Sequence, residues 1–229
     1  MCGRARLSTD FSEIRIVFRM PPDRPLPNFA PTYNLAPTDP IPILRRDPDD
    51  GLRRLDVVRW GLLPFWAKDV KLSYSTFNAR AEEIDKKPAF REAFARRRCL
   101  VALDSFYEWK QVGPREKQPY AIALKSGHPM AMAGLWERWR SPANETVLSA
   151  TIVTCAPNTP LAELHNRMPV ILPEAAWPQW LGETPASPDD LKALLVPCPD
   201  DMLTMWRVDQ RVGNVRNNDS SLIEPIALS

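Results

Sequence analysis

The sequence predicts an α+β fold: a single domain built on an antiparallel, barrel-like β-sheet with short helices at its periphery. Three observations carry this. Between Cys99 and Cys155 five strand-like runs follow one another, "CLVALD", "SFYEWK", "PYAIALK", "MAMAGLWERW" and "TVLSATIVTC". Helical periodicity is confined to short segments outside those runs. Prolines number 25 against 8 glycines. They are spread along the chain in groups such as "MPPD" and "DPIPIL", which suggests rigid irregular loops and not a disordered tail.

Taken in order, the elements are these. Asp10 and Glu13 in "DFSEIRIVF" have the spacing of a capping box opening a short helix. Proline-punctuated coil follows, with a short strand at Tyr33 to Ala36. "IPILRR" and "LDVVRW" read as strands joined by the polar turn "DPDDG". "GLLPFWAKD" reads as a loop with exposed aromatics. "KKPAFREAFARRR" predicts a helix, because Phe90 and Phe94 stand four apart. After the five strands, "TPLAELHNRMP" reads as a helix with Thr159 as its cap and Pro160 at its first position. "LPEAAWPQWL" and "SPDDLKALL" read as further helices, the second capped by Ser187. "LTMWRV" is a last strand, and "GNVRNNDSS" a polar tail.

The 229 residues are 44% hydrophobic and 25% charged, proportions that support one globular domain over residues 1–229. The net charge of +2 is too small to predict nucleic-acid binding by itself. No uncharged apolar run reaches the ~18 residues of a membrane span, and the start lacks the apolar stretch of a signal peptide. A cytoplasmic protein is expected, with monomer as the default state. Cys2, Cys99, Cys155 and Cys198 form no C-x-x-C pair, and His128 and His165 show no ligand spacing, so neither metal nor cofactor is expected. Cys99 and Cys155 lie in apolar strands and read as small buried hydrophobes. Cys198 is uninformative, and His128 in "KSGHPM" reads as a surface turn residue.

Cys2 is different, because removal of Met1 would make it the N-terminus. It would then carry an α-amine of reference pKa ~7.7 beside a thiol of ~8.5, and both supply nucleophile near neutral pH. An aldehyde can form an imine with the amine, and the thiol can close a thiazolidine ring. An internal cysteine cannot, since its nitrogen is an amide. Other candidates carry two readings each. Asn78, Arg80 and Glu82 share a face if "STFNARAEE" is extended, or form a solvated loop. Glu108 lies inside a strand, where desolvation would suit it to proton transfer. Simple alternation instead turns Tyr107 and Trp109 to the core and Glu108 to water. His165, at a helix end, is either an acid–base group or a structural hydrogen-bonding residue. The arginines are Arg4, Arg59, Arg80, Arg91, Arg96 to Arg98 and Arg167, and the interleaved rings are Trp60, Trp66, Phe77 and Trp109. Together they are the ingredients of a single-strand channel. The run Arg96 to Arg98 on its own is a solvated face that suits a helix dipole.

The chain resembles the SRAP family, the SOS-response-associated peptidase or abasic-site-processing proteins. The pieces that carry the resemblance are "MCGR", "YNLAPT", "RWGLLPFWAK", "FNARAE", "FREAFARRRCL", "FYEWK", "AGLWERW", "TIVTCAPNTPLAELHNRMPVIL" and "LIEP", in order from residue 1 to about residue 226. The resemblance implies a protein that binds single-stranded DNA at abasic sites. It implies that Cys2 captures the opened sugar as a thiazolidine crosslink that shields the lesion, with possible lyase chemistry beside it. Asn78 would position the sugar and chain end. Glu108 would be the acid–base group, tied also to removal of Met1. His165 would assist ring opening and crosslink reversal. Arg4, Arg80, Arg91 and Arg167 would contact phosphates or the strand. Asn34, Pro37, Trp60, Gly61, Trp66 and Met168 would shape the channel and the base stack. Since this places Glu108 in the site, its strand is expected to twist or bulge locally. Two departures stand out: Ser105 occupies a place where the family usually has glycine, and Asn166 one where aspartate is common. The tail "VGNVRNND" follows the family's pattern loosely. A different class also opens "MCG", the N-terminal-nucleophile amidotransferases. They continue with Arg-Gly and Asn-Gly signatures, and this chain contains neither dipeptide.

Overall fold

The computed structural model describes residues 2–226, so the expected loss of Met1 concerns a residue outside that range. The fold is α+β with a barrel-like sheet and few, short helices. In chain order the strands are β1 (Ala5–Leu7), β2 (Thr32–Leu35), β3 (Pro40–Arg46), β4 (Arg53–Trp60), β5 (Asn78–Arg80), β6 (Arg98–Leu103), β7 (Ser105–Gln111), β8 (Lys117–Leu124), β9 (Met130–Arg140), β10 (Thr146–Cys155), β11 (Met168–Pro169) and β12 (Leu203–Arg207). The helices are α1 (Phe11–Val17), α2 (Arg91–Arg96), α3 (Thr159–Ala162), α4 (Trp177–Leu181) and α5 (Pro188–Ala193). None is long and apolar enough to cross a membrane, among the described residues.

One sheet runs β11-β10-β4-β3-β6-β9, and a further β9–β10 pairing closes it into a ring. The ring is antiparallel except where β10 meets β4, at Ser149↔Arg59 and Ala150↔Trp60. There, and where β5 continues along the same edge of β10 (Ile152↔Asn78 to Thr154↔Arg80), the strands run parallel. The two parallel pairings are a departure from the all-antiparallel expectation. The second sheet, β12-β8-β7-β1-β2, is antiparallel throughout. Strands such as β3 and β6 are buried on both faces, which is why they read as continuous apolar runs without alternation.

Asp10 caps α1 by accepting from the Ser12 amide and not in the expected capping box with Glu13, while Ser187 with Asp190 forms a complete capping box on α5. Three further local expectations are corrected. The cap of α3 is Asn158, whose side chain accepts from the Leu161 amide at 3.2 Å, with Thr159 already inside the helix. The "KKPAFREAFARRR" helix shrinks to the six residues of α2, since Pro88 delays its start and Phe90 occupies the cap. Phe90 and Phe94 are both buried, as their spacing required.

The third correction concerns β7. Its ladder with β8 runs from Ser105↔Ala123 to Gln111↔Lys117 without interruption, so there is no bulge at Glu108. Alternation is obeyed: Phe106 and Glu108 share one face, Tyr107 and Trp109 the other. Both faces are covered. Phe106 belongs to the main core. Tyr107 belongs to a second cluster with Ala121, Val208, Val212 and Leu222, the last three supplied by the chain after β12. That segment wraps the outer face of the sheet, so the face carrying Glu108 is the buried interior one.

Candidate functional site

The start of the chain is held in the middle of the second sheet. β1 pairs with β7 through Ala5↔Phe106 and Arg6↔Ser105. The Tyr107 amide donates to the Arg4 carbonyl at 3.0 Å. Running the same register back brings Gly3 alongside Glu108. Cys2 is fully buried there, and its carbonyl accepts from the Asn78 side-chain amide at 2.7 Å. Asn78 opens β5, and the Trp60 indole fixes the approach to it by donating to the Phe77 carbonyl at 2.9 Å.

Burial pushes the Cys2 thiol well above its ordinary range, and the neighbouring Glu108 charge adds to the effect. Glu108 is 4% exposed, and burial raises its carboxyl too, with His165 close enough to interact with it electrostatically. His165 follows α3. Its backbone amide donates to the Leu161 carbonyl at 2.9 Å, and its Nδ1 accepts from the Arg167 amide at 3.0 Å. Cys2, Asn78, Glu108 and His165 therefore converge, from four separate segments. Of the two readings of Glu108, the desolvated one describes the structure.

The residues named for the strand divide. Arg80 and Arg91 are exposed. Trp66 is 46% exposed beside Phe65 at 65%, a surface that can stack on bases. Pro37 is half-buried. Trp60 and Met168 are fully buried, so their faces are not offered to a base. They act from beneath: Trp60 as above, and Met168 by accepting at Sδ from the Asn158 amide at the cap of α3. Gly61 lies at φ +128°, and a Cβ there would stand 2.8 Å from that of Ser73. Its role is a close approach of loop to strand.

Arg4 and Asn34 are engaged with the end of the chain. The Arg4 guanidinium donates to the Asn34 side chain, to the Val212 carbonyl at 2.8 Å and to the Gly213 carbonyl at 2.7 Å. The Asn34 amide donates to the carbonyls of Val212, Asn214 and Asn217 at 3.2, 3.0 and 2.9 Å. Arg167 is held in a bidentate pair with Glu82. The Arg96 to Arg98 run lines a separate cleft of about 420 Å³ with Arg46 and Trp136. Within it Arg98 donates to the Phe94 and Ala95 carbonyls, the dipole-facing contacts expected of a basic helix end. Sequence reasoning missed the clamp formed by the asparagine-rich tail. Its signal was present in "GNVRNND", whose side chains suit turns and backbone capping. Among the described residues no group of three or more His, Cys, Asp or Glu is placed to hold a metal.

Comparison with known proteins adds to this geometry. A family model described as SOS response associated peptidase (SRAP) matches residues 1–215. The chain is 40% identical over 224 residues to the abasic site processing protein YoqW of Bacillus subtilis, covering 98% of this chain and 99% of that one. It is 32% identical over 248 residues to the mouse abasic site processing protein HMCES, covering 92% of this chain and 69% of that one. Among solved structures, a protein from Bacteroides thetaiotaomicron superposes with a TM-score of 0.86 at 23% identity, covering 99% and 100% of the two chains. A protein from Bordetella bronchiseptica gives 0.76 at 29% identity, covering 91% and 100%.

Proposed function

Since this chain belongs to the SRAP family, we propose that it processes abasic sites in single-stranded DNA by covalent capture on Cys2. Removal of Met1, assisted by Glu108, frees the Cys2 amine. The amine adds to the aldehyde of the opened sugar, and water leaves as the imine forms. The thiol then adds across the C=N bond, its sulfur to carbon and its proton to nitrogen, closing the thiazolidine. The sum is aminothiol plus aldehyde giving thiazolidine plus water.

The observation that carries this reading is the meeting of the buried Cys2 and Glu108 with Asn78, whose amide grips the Cys2 carbonyl. A carboxyl whose pKa burial raises holds its proton to higher pH and is the stronger base when ionised, which suits it to giving and taking protons. Burial keeps the Cys2 thiol protonated, so ring closure needs a base to take the S–H proton as sulfur attacks and a proton for the nitrogen, a transfer the Glu108 carboxylate can carry from one to the other. The sugar carries no base, so binding rests on phosphate contacts and on stacking against exposed rings such as Trp66. Affinity is then salt-dependent and nearly blind to sequence, and a monomer suffices.

The test is intact-mass measurement with and without single-stranded DNA holding one abasic site. Loss of Met1 and an adduct of protein plus DNA less one water are expected. Cys2→Ser should give only a borohydride-trappable imine. An equal, heat-stable adduct from Cys2→Ala would overturn the proposal.

A further inference from the structure

Arg167 has the charge to meet a phosphate, but its guanidinium is already committed. Its two terminal nitrogens donate to the two carboxylate oxygens of Glu82 at 2.7 and 2.9 Å, and one donates also to the Thr154 carbonyl at 2.6 Å. Glu82 sits in the short helical turn Ala81–Glu83 that follows β5, the strand opened by Asn78. Thr154 lies in β10, paired with Arg80. The guanidinium therefore ties the segment between His165 and β11 to the one that carries Asn78. The hydrogen bond from Arg167 holds the Glu82 carboxyl below the usual carboxylate range, so the pair stays charged at neutral pH.

The backbone of the same arginine faces the histidine. Its amide lies 3.0 Å from His165 Nδ1, and its carbonyl 3.3 Å from the same atom. The second contact would need a proton on Nδ1. The first is shorter and comes from a group that can only donate. It decides the matter: Nδ1 presents its lone pair, and the single N–H of the neutral ring is on Nε2. We propose that Glu82 is a positioning residue which, through Arg167, locks His165 in the Nε2–H tautomer, so that His165 serves capture as a neutral hydrogen-bond donor while Glu108 moves the protons. This rests on the capture reading above.

The division of labour follows from proton balance. A neutral ring that gave up its Nε2 proton would become an anion, so it keeps that proton and stabilises charge on oxygen. In opening the cyclic sugar, the hemiacetal O–H loses its proton to the Glu108 carboxylate. The C1′–O4′ electron pair returns to O4′ beside Nε2–H, and Glu108 delivers the proton there. Glu108 ends as it began.

The experiment joins a spectroscopic and a kinetic arm. Long-range ¹H–¹⁵N spectra of histidine-labelled protein report the tautomer of each ring. The exposed His128, the only other histidine, serves as internal control. The wild type should show His165 as the Nε2–H form, and Glu82→Ala should show a mixture. The Glu82 side chain is 54% exposed, so its loss spares the core. With abasic DNA at saturation, capture by Glu82→Ala should slow about tenfold through misplacement of the ring, with Glu82→Asp recovering most of the rate. Affinity for intact single strands should hold or tighten, since an anion has gone. Unchanged His165 signals, or an unchanged saturated rate with only weaker binding, would overturn the lock. If the wild type forms no adduct, the capture reading fails, and the spectra still decide the tautomer.

Discussion

The Asn78 side-chain amide donates to the Cys2 carbonyl at 2.7 Å, linking the segment before β1 to β5, which pairs with β10 of the closed ring. This bond sets the chain end against Glu108, and it is what Asn78→Ala would remove. Loss of one such hydrogen bond costs about 1–3 kcal/mol, or about 5- to 150-fold if it is felt wholly in capture. The single-turnover crosslinking rate should fall by that order while affinity for intact single strands stays near wild type.

Glu108→Gln should abolish capture and stabilise the fold. The buried carboxyl holds its proton to higher pH than in the unfolded chain. Above an unfolded pKa of about 4.3 the folded state then binds more protons, and stability declines as pH rises. Glutamine removes that penalty. Thermal melts should show Glu108→Gln above wild type at neutral pH, with the gap closing as pH falls toward about 4. A constant gap across pH would refute the assignment.

The two tryptophans flanking the 61–65 turn should behave oppositely. Trp66 is about half-exposed and Trp60 fully buried. Trp66→Ala should weaken single-strand binding by about 1–3 kcal/mol through lost stacking, with little change in melting temperature. Trp60→Ala should cost about 3–5 kcal/mol of stability by leaving a cavity, read as a shifted urea midpoint.

Asn34→Leu should release the tail. Three carbonyls each lose one donor, Val212 keeping Arg4 and Asn214 keeping the Asn217 amide, and Arg4 loses one acceptor. A destabilisation of about 2–4 kcal/mol is expected, with proteolysis first appearing after Gly213. Exposure of Tyr107 should follow, since its covering residues Val212 and Leu222 leave with the tail.

What was legible in the sequence was whatever depends on near neighbours. The strand-length apolar runs became β6 to β10, and Ser187 and Asp10 capped their helices. The chemistry of an aminothiol at Cys2 follows from covalent structure alone. Alternation along β7 also told correctly that Glu108 and Tyr107 face opposite ways. It could not tell which face is dry, because that depends on what lies against the strand. The answer came from Val208, Val212 and Leu222, about a hundred residues further on. Likewise Arg167 read as a free cation until Glu82, 85 residues before it, was brought to its guanidinium. Periodicity and capping are fixed within a few bonds of each residue. Burial and charge pairing belong to groups that only the closed sheets bring together.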